Sequence, residues 1–377
     1  MQTGGRVFVG EWGFIADPWE PRRGMEDGRF RLTSVEITVT NWCNLRCRHC
    51  AVGESLMDRD PERLPLDLIL RRLDEVEGLT TLSLTGGELS GSTEVLRRWV
   101  APLLQYAKRR GLQTQVNTNL TFDLGRYEEI APWVDVFHIT WNYRDEAHFH
   151  RIVWGHGSRE VSPEASRRLF RRIIDNARAL AAQGRFVSAE TMINAETADH
   201  LGAMNRFLAE IGCRRHEVHP MYAVDWASDL PVLPLPAFRE AIRRFLAERD
   251  PNLWVLFGTF PFLPCSPLPE DQDLLRAVAA APNVSVRNCP DGRNRVNVDL
   301  FTGAVRVTDF GGMEPLGNVR TERLEDAFRR WHAHPRFQRL NCHCPEVGCT
   351  GPDLLVAEMY YPEVDFRTRR AVLPTGA

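Results

Sequence analysis

Lysine is almost missing from this sequence: of its 47 lysine and arginine residues, only Lys108, in YAKRRG, is a lysine. Schiff-base chemistry with pyridoxal phosphate needs a lysine, and this one sits among charges at an expected helix end, so that class is excluded. No run of 18 or more apolar residues occurs, which argues against a membrane-spanning helix and a membrane partner. No large excess of charge exists either. A net charge of −3 leaves no basic face of the kind nucleic acid requires, so no nucleic-acid partner is expected. The N-terminus lacks a basic start followed by a long apolar stretch, so no secretory signal is read and a cytoplasmic location is expected.

The 377 residues allow two or three domains, and 43% hydrophobic with 26% charged residues is ordinary for a globular chain. Cysteine is the unusual component. Of nine, three lie at Cys43, Cys47 and Cys50 and three at Cys342, Cys344 and Cys349, while Cys213, Cys265 and Cys289 are scattered. In a reducing compartment such clusters read as metal ligands before disulfides.

From residue 34 onward, β-branched runs alternate with helical patterns. Strands are expected at 34–40, 80–86, 113–119, 134–142, 186–194 and 214–222, with helices near 65–77, 92–110, 124–130, 162–183 and 197–211. Six strand–helix repeats argue for a parallel sheet with right-handed crossovers, an α/β partial (β/α)6 TIM-like barrel whose active groups sit at strand C-termini. After Tyr222 the pattern changes: a Pro-rich stretch at 229–236, a helix at 236–248, a further candidate strand at 254–260, and a hairpin of 295–300 with 304–309. Gly303 supplies the positive φ that the hairpin turn needs.

The first cysteine group, CxxxCxxC, directly follows the first strand. Three thiolates on one loop can hold three irons of a [4Fe–4S] cluster, leaving the fourth open to the amino and carboxylate groups of S-adenosylmethionine (SAM). Structural zinc wants four protein ligands, and no local fourth is present. The following motifs resemble the radical SAM superfamily over residues 34–225. His49 stands before the third cysteine, where the family often places an aromatic residue against adenine. Thr85-Gly86-Gly87-Glu88 resembles the motif whose backbone and Glu engage SAM's amino group, with Leu89 in place of the usual Pro. Asn117-Thr118-Asn119 resembles the ribose-contacting segment, with Leu120 in place of Gly. Ser188 and Glu190 are similar to positions that contact ribose or the SAM carboxylate.

The second group, Cys342-His343-Cys344-Pro345-Glu346-Val347-Gly348-Cys349, reads CxCxxxxC. With Cys289-Pro290-Asp291-Gly292, the hairpin and Leu316-Gly317-Asn318-Val319 upstream, it resembles SPASM and twitch auxiliary-cluster domains. The resemblance makes Cys342, Cys344 and Cys349 ligands of an auxiliary iron–sulfur cluster, with Cys289 the preferred fourth and Cys265 in reserve; a structural zinc on the same thiols is the alternative. Cys213 reads as a plain core thiol. The segments LTSVEITVTNWCNLRCRHCAVGE, RHEVHPMYA and NCHCPEVGCTGP are similar to the YfkA/YfkB-type radical SAM proteins over nearly the whole chain.

These resemblances imply an N-terminal extension (1–33), a radical SAM partial barrel (34–228), a bridging segment (229–283) and a small α+β SPASM/twitch-like C-terminal domain (284–377). The implied activity is reductive cleavage of SAM to a 5′-deoxyadenosyl radical that abstracts hydrogen from a peptide or small molecule, served by a one-electron donor such as flavodoxin or ferredoxin. A non-enzymatic iron–sulfur or zinc protein on the same scaffold is the competing reading. Strand-end groups expected at the barrel mouth are Trp141, Asn142, Tyr143, Glu190, His219 and Tyr222. His216 and His219, three apart on a strand, should face opposite ways.

Overall fold

The computed structural model describes residues 9–10, 13–14, 17–26, 29–157, 160–309, 313–340, 342–344 and 347–367. The expected N-terminal extension and C-terminal domain therefore lie partly outside the described residues, as do Pro345 and Glu346 of the second cysteine motif. Two short antiparallel pairs come first, β1 (Val9–Gly10) with β2 (Gly13–Phe14) and β3 (Met25–Glu26) with β4 (Arg29–Phe30).

The six expected strands then follow in order: β5 (Ser34–Thr40), β6 (Thr81–Gly86), β7 (Gln113–Thr118), β8 (Val136–Thr140), β9 (Phe186–Ile193) and β10 (Arg215–Pro220). Each pairs in parallel with the next. Their outer faces share one core with the intervening helices, so Val35, Ile37 and Val187 pack in a cluster with Ile69, Leu73, Ile173, Leu180 and Leu208. An additional helix, Glu146–Val153, starts where the Asp145 side chain accepts the His148 N–H at 2.7 Å.

The sheet continues beyond six strands. In the segment 229–283, expected as a bridge, the helices Leu235–Glu248 and Pro269–Ala280 flank β11 (Trp254–Gly258), which pairs in parallel with β10; β12 (Val284–Arg287) then pairs in parallel with β11. The physical reason lies in WVLFG. All five residues are buried, and a strand covered on both faces shows no polar alternation to mark it. At the other edge, β13 (Arg295–Asp299) lies parallel to β5 and carries the expected hairpin through β14 (Ala304–Arg306), with β15 (Gly317–Asn318) beyond. Gly303 has φ +78° as the turn requires. The C-terminal segment thus shares the barrel's sheet.

The parallel strands form an open arc, with β12 and β13 unpaired to one another. Residues 288–294 join these two edges, so they must run across the open side. At the N-terminal ends of the strands, Trp19, Val136, Phe186, Trp254 and Leu256 form a separate apolar cluster. The Trp19 indole N–H donates to Ser83 Oγ at 3.1 Å, and Asp17 accepts from Arg287 at 2.6 Å. The segment before β3 therefore plugs the bottom of the arc. Among the described residues no helix is long and apolar enough to cross a membrane. Trp19→Ala, which empties this plug, should cost about 3–5 kcal/mol, read as a lower urea midpoint; an unchanged midpoint would show that the plug adds nothing to the arc.

Candidate active site at the open end of the arc

The cysteine loop leaves β5 at Thr40 and lies directly on the end of β6. The Gly87 N–H donates to Thr40 O at 2.7 Å and the Glu88 N–H to Trp42 O at 2.8 Å. A Cβ on Gly86 would sit 2.1 Å from Thr40 O, and one on Gly87 would sit 2.1 Å from Trp42 O. Glycine at both positions is what lets the two loops touch, and Gly86 also has φ +129°. Further along the loop, the N–H groups of Arg46 and Arg48 donate to Val153 O and Ile152 O, both at 2.9 Å. The helix at 146–153, absent from the expected elements, is therefore a support of the cysteine loop.

Glu88 does not reach the cavity. It is 1% exposed, and its carboxylate accepts from Ser90 N–H, Thr118 Oγ1 at 2.8 Å and Asn119 N–H at 2.6 Å. These bonds lock the β6 loop to the end of β7. In this structure the carboxylate expected to meet SAM's amino group serves as a brace between the loops. Asn119 is similarly committed: its amide donates to Asn44 Oδ1 at 3.0 Å and lies 3.8 Å from Cys43 Sγ, while its carbonyl accepts from Thr121. Leu120 stands at φ +59° and fully buried, so the position usually held by Gly keeps its left-handed backbone here at a cost in strain.

A cavity of about 300 Å³ opens where these loops meet. Cys43, Cys47 and Cys50 line it, with His49, Gly86, Gly87, Asn117, Asn119 and Glu190. Ser188 does not. It is fully buried, accepts from Arg215 Nε at 2.8 Å and meets His138 Nδ1 at 3.1 Å, which makes it part of the polar layer below. Asn142, Tyr143, His219 and Tyr222 line the cavity as expected, whereas Trp141 packs among Tyr143, Phe170 and Phe207 in the core. His216 faces outward to Asn205 and Thr191, opposite to His219.

Burial raises all three thiols of the loop, Cys43 to about 12, Cys50 to about 11 and Cys47 well above the ordinary value. Burial likewise lowers His49 to about 4. The opposite wall is made of paired charges that sequence reading missed. Glu217 pairs with Arg287 and Arg215, whose charges outweigh its burial and hold it at about 2. Arg295 bonds Asp291 at 2.6 Å and faces Glu36 at 3.6 Å. The Asp291–Arg295 pair is almost wholly enclosed in this wall. Asp309 is driven to about 8 by burial, then by Glu36 and Asp291. Inward alternation along β5, β8 and β10 was the available signal for Glu36, His138 and Glu217.

At the centre of the cavity Glu190 bridges two histidines. His219 Nε2 meets one carboxylate oxygen and His138 Nε2 lies 3.4 Å from the other. His219 Nδ1 faces the Pro220 carbonyl at 2.8 Å. Both ring nitrogens of His219 thus face acceptors, which favours the imidazolium. Burial alone would lower its pKa and raise that of Glu190. Their mutual attraction overrides both, leaving His219 raised and Glu190 well below the carboxylate range.

The radical SAM superfamily profile matches residues 37–208, and the YfkB-like domain profile matches residues 221–371. YfkA of Bacillus subtilis (strain 168) is 47% identical over 357 residues, which cover 94% of this chain and 96% of YfkA. The chain belongs to the radical SAM superfamily. Among solved structures, SuiB of Streptococcus suis bound to S-adenosylmethionine matches with a TM-score of 0.58 at 14% identity, over 87% of this chain and 72% of SuiB. Native anSMEcpe with bound AdoMet and Cp18Cys peptide matches with a TM-score of 0.52 at 14% identity, over 78% of this chain and 80% of that one. At such identity the likeness is one of fold.

In this radical SAM chain the second cysteine group assembles differently from expectation. Cys342, Cys344 and Cys349 line a second cavity, of about 320 Å³, together with Cys265. Cys289 is elsewhere: it lines the first cavity with Cys43, Cys47 and Cys50, because the 288–294 segment that carries it crosses the open side of the arc. Cys213 is an isolated thiol in the core, raised to about 12 by burial alone.

A histidine raised on folding stabilises fully below its unfolded pKa, and that gain is lost as pH rises through the folded value. Glu190→Gln should therefore cost about 1–3 kcal/mol at pH 6 and distinctly less at pH 9, measured by urea unfolding at the two pH values. Equal costs at both would mean that His219 is not held as the imidazolium.

Proposed function

We propose that this chain is a radical SAM enzyme that abstracts a hydrogen atom from a peptide or small molecule held in the first cavity. Cys43, Cys47 and Cys50 ligate its [4Fe–4S] cluster, and the C-terminal cysteines hold an auxiliary iron–sulfur centre. The observation that carries this reading is that the three loop thiols open into one cavity with the bare backbone of Gly86 and Gly87. When bound, the cluster and SAM supply a 5′-deoxyadenosyl radical. A one-electron donor such as flavodoxin or ferredoxin supplies the reductant.

The donor set fits. Desolvation raises all three thiols even with Arg46 nearby, and iron supplies the positive charge that favours their thiolates. Among the described residues no three His, Cys, Asp or Glu side chains converge on a single-ion position. Cluster ligands need no such point, because each thiolate holds a different iron, whereas zinc draws its ligands around one atom.

The chain's own groups divide the remaining work. Gly86 and Gly87 offer backbone to SAM's amino group. Glu88 braces the loops and Asn119 positions Asn44 and Cys43, so both act through the cysteine loop. His49 and Asn117 lie on the cavity wall within the SAM-binding part. Glu190, with His138 and His219, keeps a proton on the substrate side of the cavity.

Protein reconstituted anaerobically with iron and sulfide, then given dithionite and SAM, should release 5′-deoxyadenosine, measured by liquid chromatography. Cys47→Ala should abolish release. Iron-replete wild-type protein that makes none would sink the enzymatic reading. Gly87→Ala pushes the cysteine loop off its seat, and a displacement of about 1 Å should cut release about a hundredfold; full activity in that variant would remove the loop contact from the explanation.

A further inference from the structure

Among the described residues, every polar side chain lining the second cavity is a cysteine. Leu263, Pro264, Val347, Pro352, Phe366 and Gly351 complete its wall around Cys265, Cys342, Cys344 and Cys349. Behind it lies a buried arginine that makes no close ion pair among the described residues. Arg293 is 3% exposed, donates to the carbonyls of Leu340 and Pro352, and has no partner at Nη1. Its electrostatic neighbours are Asp353, then Cys349 and Cys342. Asp353 is occupied in capping the helix Leu354–Tyr360, accepting from Leu355 N–H at 2.8 Å and Val356 N–H at 3.3 Å. The Phe30 and Phe337 rings also lie against its guanidinium, at 5.5 and 5.9 Å, yet a buried guanidinium with an unbonded N–H still gains from further negative charge nearby.

We propose that Cys265, Cys342, Cys344 and Cys349 together ligate a second [4Fe–4S] cluster, with Arg293 as its fixed counter-charge. This rests on the auxiliary-centre part of the proposed function and not on the first cluster. A cluster held by four thiolates carries negative charge that would complement the buried Arg293 guanidinium. Cys344 and Cys349 are held side by side by reciprocal backbone bonds of 2.9 and 3.1 Å. The Gly351 N–H points at Cys349 Sγ at 3.4 Å, the kind of donor that tunes a cluster. The loop bearing Cys265 is pinned by Tyr361 OH to Pro261 O at 2.7 Å and by Gln272 to Pro264 O at 3.0 Å. Full protein ligation leaves no iron for substrate, and among the described residues the two cavities share no lining residue. The auxiliary centre is therefore not a substrate anchor, and Cys289 remains a free thiol facing the first cavity.

The test uses the full chain with Cys43→Ala, Cys47→Ala and Cys50→Ala, purified anaerobically. It should hold about four irons and four sulfides. Adding Cys265→Ser should lose at least half of that iron with unchanged far-UV circular dichroism, whereas adding Cys289→Ala should lose none. Arg293→Met should keep the iron and lower the midpoint potential, because a buried cation favours the more negative reduced cluster. Zinc in place of iron, or iron lost with Cys289→Ala and kept with Cys265→Ser, overturns the assignment. If the triple variant is iron-free while wild-type protein releases deoxyadenosine, this proposal fails and the first-site reading stands. The converse pair of results leaves this proposal standing and removes that reading.

Discussion

Two backbone hydrogen bonds, from Gly87 to Thr40 and from Glu88 to Trp42, set the position of the cysteine loop on the sheet. They form only because neither Gly86 nor Gly87 carries a Cβ, which would stand 2.1 Å from a carbonyl oxygen of the other loop. Beneath that contact the buried Glu88 carboxylate collects hydrogen bonds from Thr118 and Asn119. Three strand ends are thereby made into one rigid rim. Loops of this kind are ordinarily mobile, and a site built on them is only as accurate as their support. Here the support is backbone contact and a buried, multiply hydrogen-bonded carboxyl group, both hard to relax.

The open arc is the second element. A closed eight-stranded barrel would fill its interior with side chains. This arc instead keeps a polar interior, in which Glu36, His138, Glu190, Glu217, Arg287 and Arg295 meet as pairs. Its bottom is stoppered by Trp19 and its open side is crossed by residues 288–294. That crossing segment couples the two cysteine sites physically. Cys289 and Asp291 face the first cavity, and Arg293, two residues on, sits behind the second.

Periodicity and motif order made the six-strand core, the hairpin and the first cysteine site legible in the residues alone. Elements outside those signals were harder to place. The run at 254–260 reads as a strand and supplies β11, but its uniformly apolar, buried residues carry no alternation to show which sheet it joins. Glu88 and Ser188 sit at motif positions, yet their side chains turn to neighbouring backbone and to Arg215, and a one-dimensional motif does not report side-chain direction. That Cys265 and not Cys289 lines the second cavity has a topological origin. Cys289 is nearer to the CxCxxxxC motif in sequence, but the arc's open side carries it to the opposite cavity.

A single spectroscopic comparison bears most directly on whether three thiolates hold a cluster with a vacant iron. In a Cys342→Ala/Cys344→Ala variant, which leaves only the first site, the electron paramagnetic resonance spectrum of the reduced protein should change its g values when SAM is added. Labelling SAM's amino nitrogen should then produce a resolved hyperfine coupling. A reduced-cluster signal that SAM leaves unaltered would contradict an open iron on Cys43, Cys47 and Cys50.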